Sequence, residues 1–205
     1  MTDRSGRTAT VDPEAAGILD FWFSTHNEAY WFSSTPDFDG ACRDLAAPLL
    51  ESALAGDLDG WANTADGALA LVIVLDQMPR NIFRGTARAF AFDEKARTVS
   101  RSAIGAGMDR ELVAGRRAFL YLPFEHSEDM DDQRRSVELF TALGDATKLE
   151  YAVHHFEIVE RFGCFPHRNA ALGRQSTPEE LEYLAAGDAA GFQKSQMPAQ
   201  DAPGP

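Results

Sequence analysis

From Ala68 to Leu75 the chain is unbroken in apolar character, and it then runs abruptly into Asp76, Gln77, Met78, Pro79, Arg80 and Asn81. A segment with no polar face has to be surrounded, so the rest of the chain must be arranged around it. Val72, Ile73 and Val74 suit a buried strand, the alanines and leucines suit a buried helix, and periodicity cannot separate the two. No other segment offers a strand partner. The reading is a central helix, apolar all round because it is enclosed.

The same pattern recurs twice. Phe119 to Asp129 reads FLYLPFEHSED, with Glu125, His126, Glu128 and Asp129 after Pro123; Phe162 to Phe165 runs into Pro166, His167, Arg168 and Asn169. Proline lacks an amide hydrogen and restricts the residue before it, so each proline is expected to stop an apolar element. The apolar residues go into a core and pin the polar ones to its rim. Three such corners are expected to meet at one end of a bundle.

Helix signals fill the remainder. Asp12, Pro13 and Glu14 open a first helix, and Thr35, Pro36 and Asp37 a second that Pro48 should bend or split and Gly56 should close. Asp93 and Asp109 read as caps of the next two, and Ser127 as the cap of a helix ending at Gly144. Asp145 starts one that ends at Gly163, and Thr177 starts the last, with Leu181 and Leu184 inward. The expected class is all-α, a compact bundle of about eight to ten helices with antiparallel neighbours across short links. No fixed helical repeat is present. One domain is expected over 12–193, with 1–11 and the proline-rich 194–205 disordered.

Lys+Arg 19 against Asp+Glu 32 gives a net charge of −13, which repels a phosphate backbone and argues against nucleic acid. Two basic groupings, Arg80, Arg84 and Arg88, and Arg161, His167, Arg168 and Arg174, read either as surface ion pairs with the surplus acids or as an anion pocket. Cys42 and Cys164 form no framework, so a reducing, cytoplasmic setting is expected. Met1 to Thr10 lacks a signal-peptide pattern and Ala68 to Leu75 is too short for a bilayer, so no membrane partner is expected.

Histidine beside carboxylate, as at Glu125, His126 and Glu128, can shuttle protons or hold a metal. Alternatively the acids serve the positive end of a helix and His126 bonds to a carbonyl. Neither Glu-x-x-His nor His-Glu-x-x-His occurs, so no metal and no cofactor is expected. Nor does a nucleophile elbow, a phosphate-binding loop or a dinucleotide fingerprint. Asp76, Gln77, Arg80 and Asn81, like Arg168 and Asn169, are either clasps that hold a corner or ligand contacts.

With these motifs in view, the chain resembles a bacterial family catalogued as domain of unknown function 924. The resemblance rests on ILDFWF (Ile18 to Phe23), Trp31 with Phe32, LALVIVLDQMPRNIFRG (Leu69 to Gly85), FLYLPFEHSED, RFGCFPHRN (Arg161 to Asn169) and LGRQSTPEE (Leu172 to Glu180). It spans about Ile18 to Phe192 and implies a tetratricopeptide-like all-helical fold of the α-α superhelix kind. It implies no activity. The leading expectation is a polar pocket for a small anionic metabolite or a peptide. Arg80, Arg168 and Arg174 would grip the anion, with Asp76, Gln77, Asn81, His126, His167 and Asn169 around it. Two alternatives stand beside it, a hydrolase using His126 or His167 with Glu125 or Glu128, and a protein-interaction scaffold. Oligomeric state is not legible.

Overall fold

In the computed structural model, which describes residues 10–31 and 35–186, the apolar run is helical. It belongs to a rod that starts at Ala65 and continues to Ile82, and every residue from Gly67 to Ile82 is buried. Thr64 caps the rod with its side-chain oxygen, which accepts from the Gly67 amide at 3.1 Å. The N-terminal segment through Ala9, Phe32 and the tail from Lys194 lie outside the described residues.

The described residues form ten α-helical segments and no strand. They are α1 (Pro13–Trp22), α2 (Pro36–Ala46), α3 (Leu50–Ala55), α4 (Ala65–Val72), α5 (Met78–Ile82), α6 (Asp93–Gly105), α7 (Ala114–Glu125), α8 (Met130–Leu143), α9 (Ala146–Phe162) and α10 (Pro178–Ala185). The class is all-α. Helix α4 packs against α1, α6 and α7, and α7, α8 and α9 pack in succession across their short links. Pro48 splits its helix as expected, into α2 and α3. Trp22, Phe38, Leu69, Leu71, Ile73, Leu75, Phe119 and Phe140 belong to one apolar cluster around the rod.

Two of the three prolines do not stop their helices, contrary to expectation. Between α4 and α5 the rod takes one wide π turn over Ile73–Gln77, in which the Met78 amide donates to the Ile73 carbonyl. That turn places Pro79 in the first turn of α5, where its missing N–H is not needed. Pro123 sits inside α7, close enough to the C-terminus that the lost bond falls in the last turn. Only Pro166 follows a true stop, at Gly163, whose φ is +70°.

Three expected caps are not formed, for one reason: the side chain is engaged elsewhere. Asp93 follows the N-cap Phe92 and gives both oxygens to Arg80. Asp109 accepts from the Tyr121 hydroxyl at 2.7 Å. Asp129, not Ser127, caps α8, and the Ser127 hydroxyl donates to Asp132. Leu181 is exposed rather than inward. Asp12, Thr35, Asp145 and Thr177 do cap their helices, and Thr177 with Glu180 forms a reciprocal capping box.

Two glycines allow a clean test of this packing. A Cβ on Gly67 would lie 2.0 Å from the Trp61 carbonyl oxygen, a backbone atom that cannot step aside. Around Gly17, in the exposed middle of α1, nothing lies within 4 Å. Urea denaturation is therefore expected to show Gly67→Ala losing several kcal/mol or failing to fold, and Gly17→Ala gaining about 0.5–1 kcal/mol.

Candidate functional site

Asp76 lies on the π turn with its side chain wholly buried. An ionised carboxylate there requires partners, and three arrive. Gln77 Nε2 donates to Oδ2 at 2.5 Å, Arg80 Nη1 stands 3.3 Å from Oδ1, and His126 Nδ1 lies 2.9 Å from both oxygens. Burial alone would raise the pKa of Asp76, but Arg80, His126 and Gln77 outweigh it and hold the carboxyl well below its usual range. Since a carboxylate only accepts, Nδ1 of His126 carries the hydrogen and Nε2 keeps its lone pair.

Arg80 also makes a bidentate pair with Asp93 at 2.9 Å and 2.9 Å, which ties the rod to the start of α6. Arg168 stacks between the rings of Phe90 and Phe165 at 4.7 Å and 4.5 Å and donates to the His126 carbonyl at 2.9 Å. Its ion pair with Asp93 is long, 3.7 Å, because Arg80 already occupies that carboxylate. Burial, reinforced by Arg80, lowers the guanidinium pKa to about 10, and the Nε hydrogen has no acceptor among the described residues.

These groups face a cavity of about 390 Å³. Gln77, Arg80 and Asn81 reach it from the rod, Glu125 and His126 from the end of α7, and His167 and Arg168 from the turn after α9. Arg84, Lys148 and His155 line it as well, while Trp31, Ala118, Phe119, Leu122 and Phe140 form an apolar wall. Four residues expected at the site do not line it. Asp76 lies beneath, behind His126. Glu128 pairs with Arg174 at 2.6 Å and accepts from the Phe165 amide, and Asn169 bonds to Ser176 and Glu180. These three form a separate clasp between the α7–α8 corner and the start of α10. The basic groupings split: Arg88 and Arg161 make surface pairs with Glu51 and Glu179, and Arg80, Arg84 and Arg168 face the cavity.

Glu125 is 4% exposed. Burial, with the nearby charge of Asp76, raises its pKa to about 8, so the carboxyl is protonated at neutral pH. His155 Nδ1 lies 3.2 Å from it and donates to the Tyr151 carbonyl at 2.8 Å. Burial and the proximity of His126 depress His155 to about 3, so this ring stays neutral. Gln133 ties the corner down, donating to the carbonyls of Glu125 and Ser127 at 2.7 Å and 2.6 Å. Reasoning from sequence missed Asp93, Phe90, Gln133 and the pairing of His155 with Glu125. None stands beside a cavity motif in the chain, and only the alternation of acids and histidines around 125 and 155 carried a signal. Among the described residues no group of His, Cys, Asp and Glu is arranged to hold a metal ion, and no helix is long and apolar enough to cross a membrane.

Fold and cavity together define an all-helical protein whose buried polar network opens on one side into a largely apolar recess. The chain belongs to the DUF924 family, described as bacterial protein of unknown function, whose model matches residues 18–188. It is similar in structure to the protein of unknown function ATU0120 from Agrobacterium tumefaciens. The two share 43% identity at a TM-score of 0.81, over 84% of this chain and 97% of the other. No curated protein matches.

The raised Glu125 pKa has a definite consequence for stability. In the unfolded chain the group titrates near 4.5 and in the fold near 8, so its contribution to stability is whole below about pH 4.5 and is lost as pH rises towards 8. Glu125→Gln abolishes that loss. Its melting temperature relative to wild type is expected to climb between pH 5 and pH 8.5, by an amount equivalent to a few kcal/mol.

Proposed function

We propose that the cavity binds a small organic anion, a carboxylate carried on an apolar body, with Arg168 as the group that meets its charge. The carrying observation is the state of Arg168. It is buried and ring-stacked, its pairing with Asp93 is loose, and Nε is unmatched. A buried donor without an acceptor costs about 1–3 kcal/mol, which a bound carboxylate would recover through the two parallel bonds a guanidinium can make. Arg80 is saturated by Asp76 and Asp93 and supports the site rather than gripping the ligand. Gln77, Asn81 and His167, which line the cavity, would orient it, and Arg174 and Asn169 do not line the cavity.

The apolar wall sets the other half of the ligand. Trp31, Phe119, Leu122 and Phe140 favour an aromatic or branched aliphatic body, and a volume of about 390 Å³ is within the range of small-molecule sites. A peptide ending in an apolar residue presents the same chemistry. Thermal denaturation with benzoate, phenylacetate, hexanoate and inorganic phosphate tests the reading. The three carboxylates should stabilise the protein, by about 2.7 kcal/mol at a hundredfold excess over Kd, and phosphate should do so less. In Arg168→Lys, which keeps the charge and loses the fork, the affinity should fall about tenfold or more. Stabilisation by none of the four would refute the reading.

A further inference from the structure

We propose that the cavity is also a proton-transfer site: His126 removes a proton from the carbon beside a substrate carbonyl, and Glu125 donates a proton to the carbonyl oxygen. The substrate class is a 2-oxo carboxylate with an apolar side chain. This deepens the binding reading and rests on it, since Arg168 would hold the carboxylate.

Geometry supplies the two roles. Both Asp76 oxygens stand 2.9 Å from His126 Nδ1, which fixes the tautomer with a basic Nε2 on the side away from Asp76, and His126 lines the cavity. Glu125 is the neighbouring residue, lines the same cavity, and among the described residues is paired with no arginine or lysine; its charged or titratable neighbours are Asp76 and His155. A carboxyl so placed stays protonated and can donate to an oxygen that gains negative charge. His126 faces Asp76, Arg80, Asp93, His155 and Arg168, and burial keeps its pKa below the ordinary value against the pull of Asp76.

The step is balanced within the substrate and these two side chains. The C–H bond breaks and its proton goes to Nε2. The electron pair becomes the carbon–carbon double bond, the carbonyl pair moves to oxygen, and that oxygen takes the Glu125 proton to give the enol. Reversal restores the keto form with a proton drawn from solvent through His126. No serine or cysteine lines the cavity among the described residues, so the structure offers no sulfur or serine nucleophile for an acyl intermediate, and the apolar wall limits the water that hydrolysis would consume.

Proton NMR in D2O tests this with the full chain and phenylpyruvate or 2-oxohexanoate, following loss of the C3 proton signal. Thermal denaturation with the same acids runs in parallel. Wild type should exchange about a hundredfold faster than His126→Asn, and the rate should fall as pH passes about 8, where Glu125 ionises. Glu125→Gln keeps a neutral side chain of the same shape; it should slow exchange and remove that alkaline fall, and it serves alone if His126→Asn does not fold. Stabilisation without exchange above the buffer rate overturns proton transfer and leaves binding intact, while neither effect overturns both. Turnover of p-nitrophenyl esters without exchange would also overturn it, in favour of hydrolysis.

Discussion

A single buried carboxylate brings the pieces of this molecule together. Asp76 has no exposed surface, and the cost of taking an anion out of water is offset only because Arg80, Gln77 and His126 converge on it. His126 lies at the end of α7, Arg80 carries the link to Asp93 on α6, and Arg168 closes over the His126 carbonyl from beyond α9. Removing one partner would leave a buried charge unmatched, so the four segments hold their relative positions as a set. The polar network is thus also the scaffold for one end of the helical stack.

The π turn makes that convergence possible. An uninterrupted α-helix from Ala65 to Ile82 would place the Pro79 ring against the Leu75 carbonyl and leave that oxygen without its amide. Widening the helix by one residue over Ile73–Gln77 removes the clash and rotates the residues beyond it. Arg80 Nη1 then reaches the Asp76 carbonyl at 2.5 Å as well as the Asp76 and Asp93 carboxylates. A helix that had ended at Pro79 would have left Asp76 and Arg80 on separate elements.

Much of this was legible in the chain, and what was not has a common cause. The apolar run, the Asp12, Thr35, Asp145 and Thr177 caps, the glycine stops and the all-α class follow from local rules that tertiary contacts did not override. Pro79 departs from expectation through a helix irregularity with no local signature, and the acids at 93 and 109 because each meets a partner more than ten positions away, while at 127–129 a nearer acid, Asp129, takes the cap and leaves Ser127 to Asp132. Asp93 is the clearest case. Beside a helix start it looks like an ordinary capping acid, and nothing before it announces that Arg80 will claim both oxygens. Arg174 erred the other way: it stands close to Arg168 in sequence, yet Glu128 draws it into a clasp on a different face.

The division of charge between surface and interior follows from the same physics. A chain of net charge −13 keeps most of its acids in water, where they cost little. Around the cavity, Asp76 is matched by Arg80 and His126, and Asp93 by Arg80 and, at longer range, Arg168. Glu125, buried next to one of those anions, cannot ionise as well, and His155, buried close to His126, stays neutral. The cavity therefore presents neutral titratable groups around one loosely matched guanidinium. That state follows from the pairing itself: Arg80 takes both Asp76 and Asp93, which leaves Arg168 only the longer contact with Asp93.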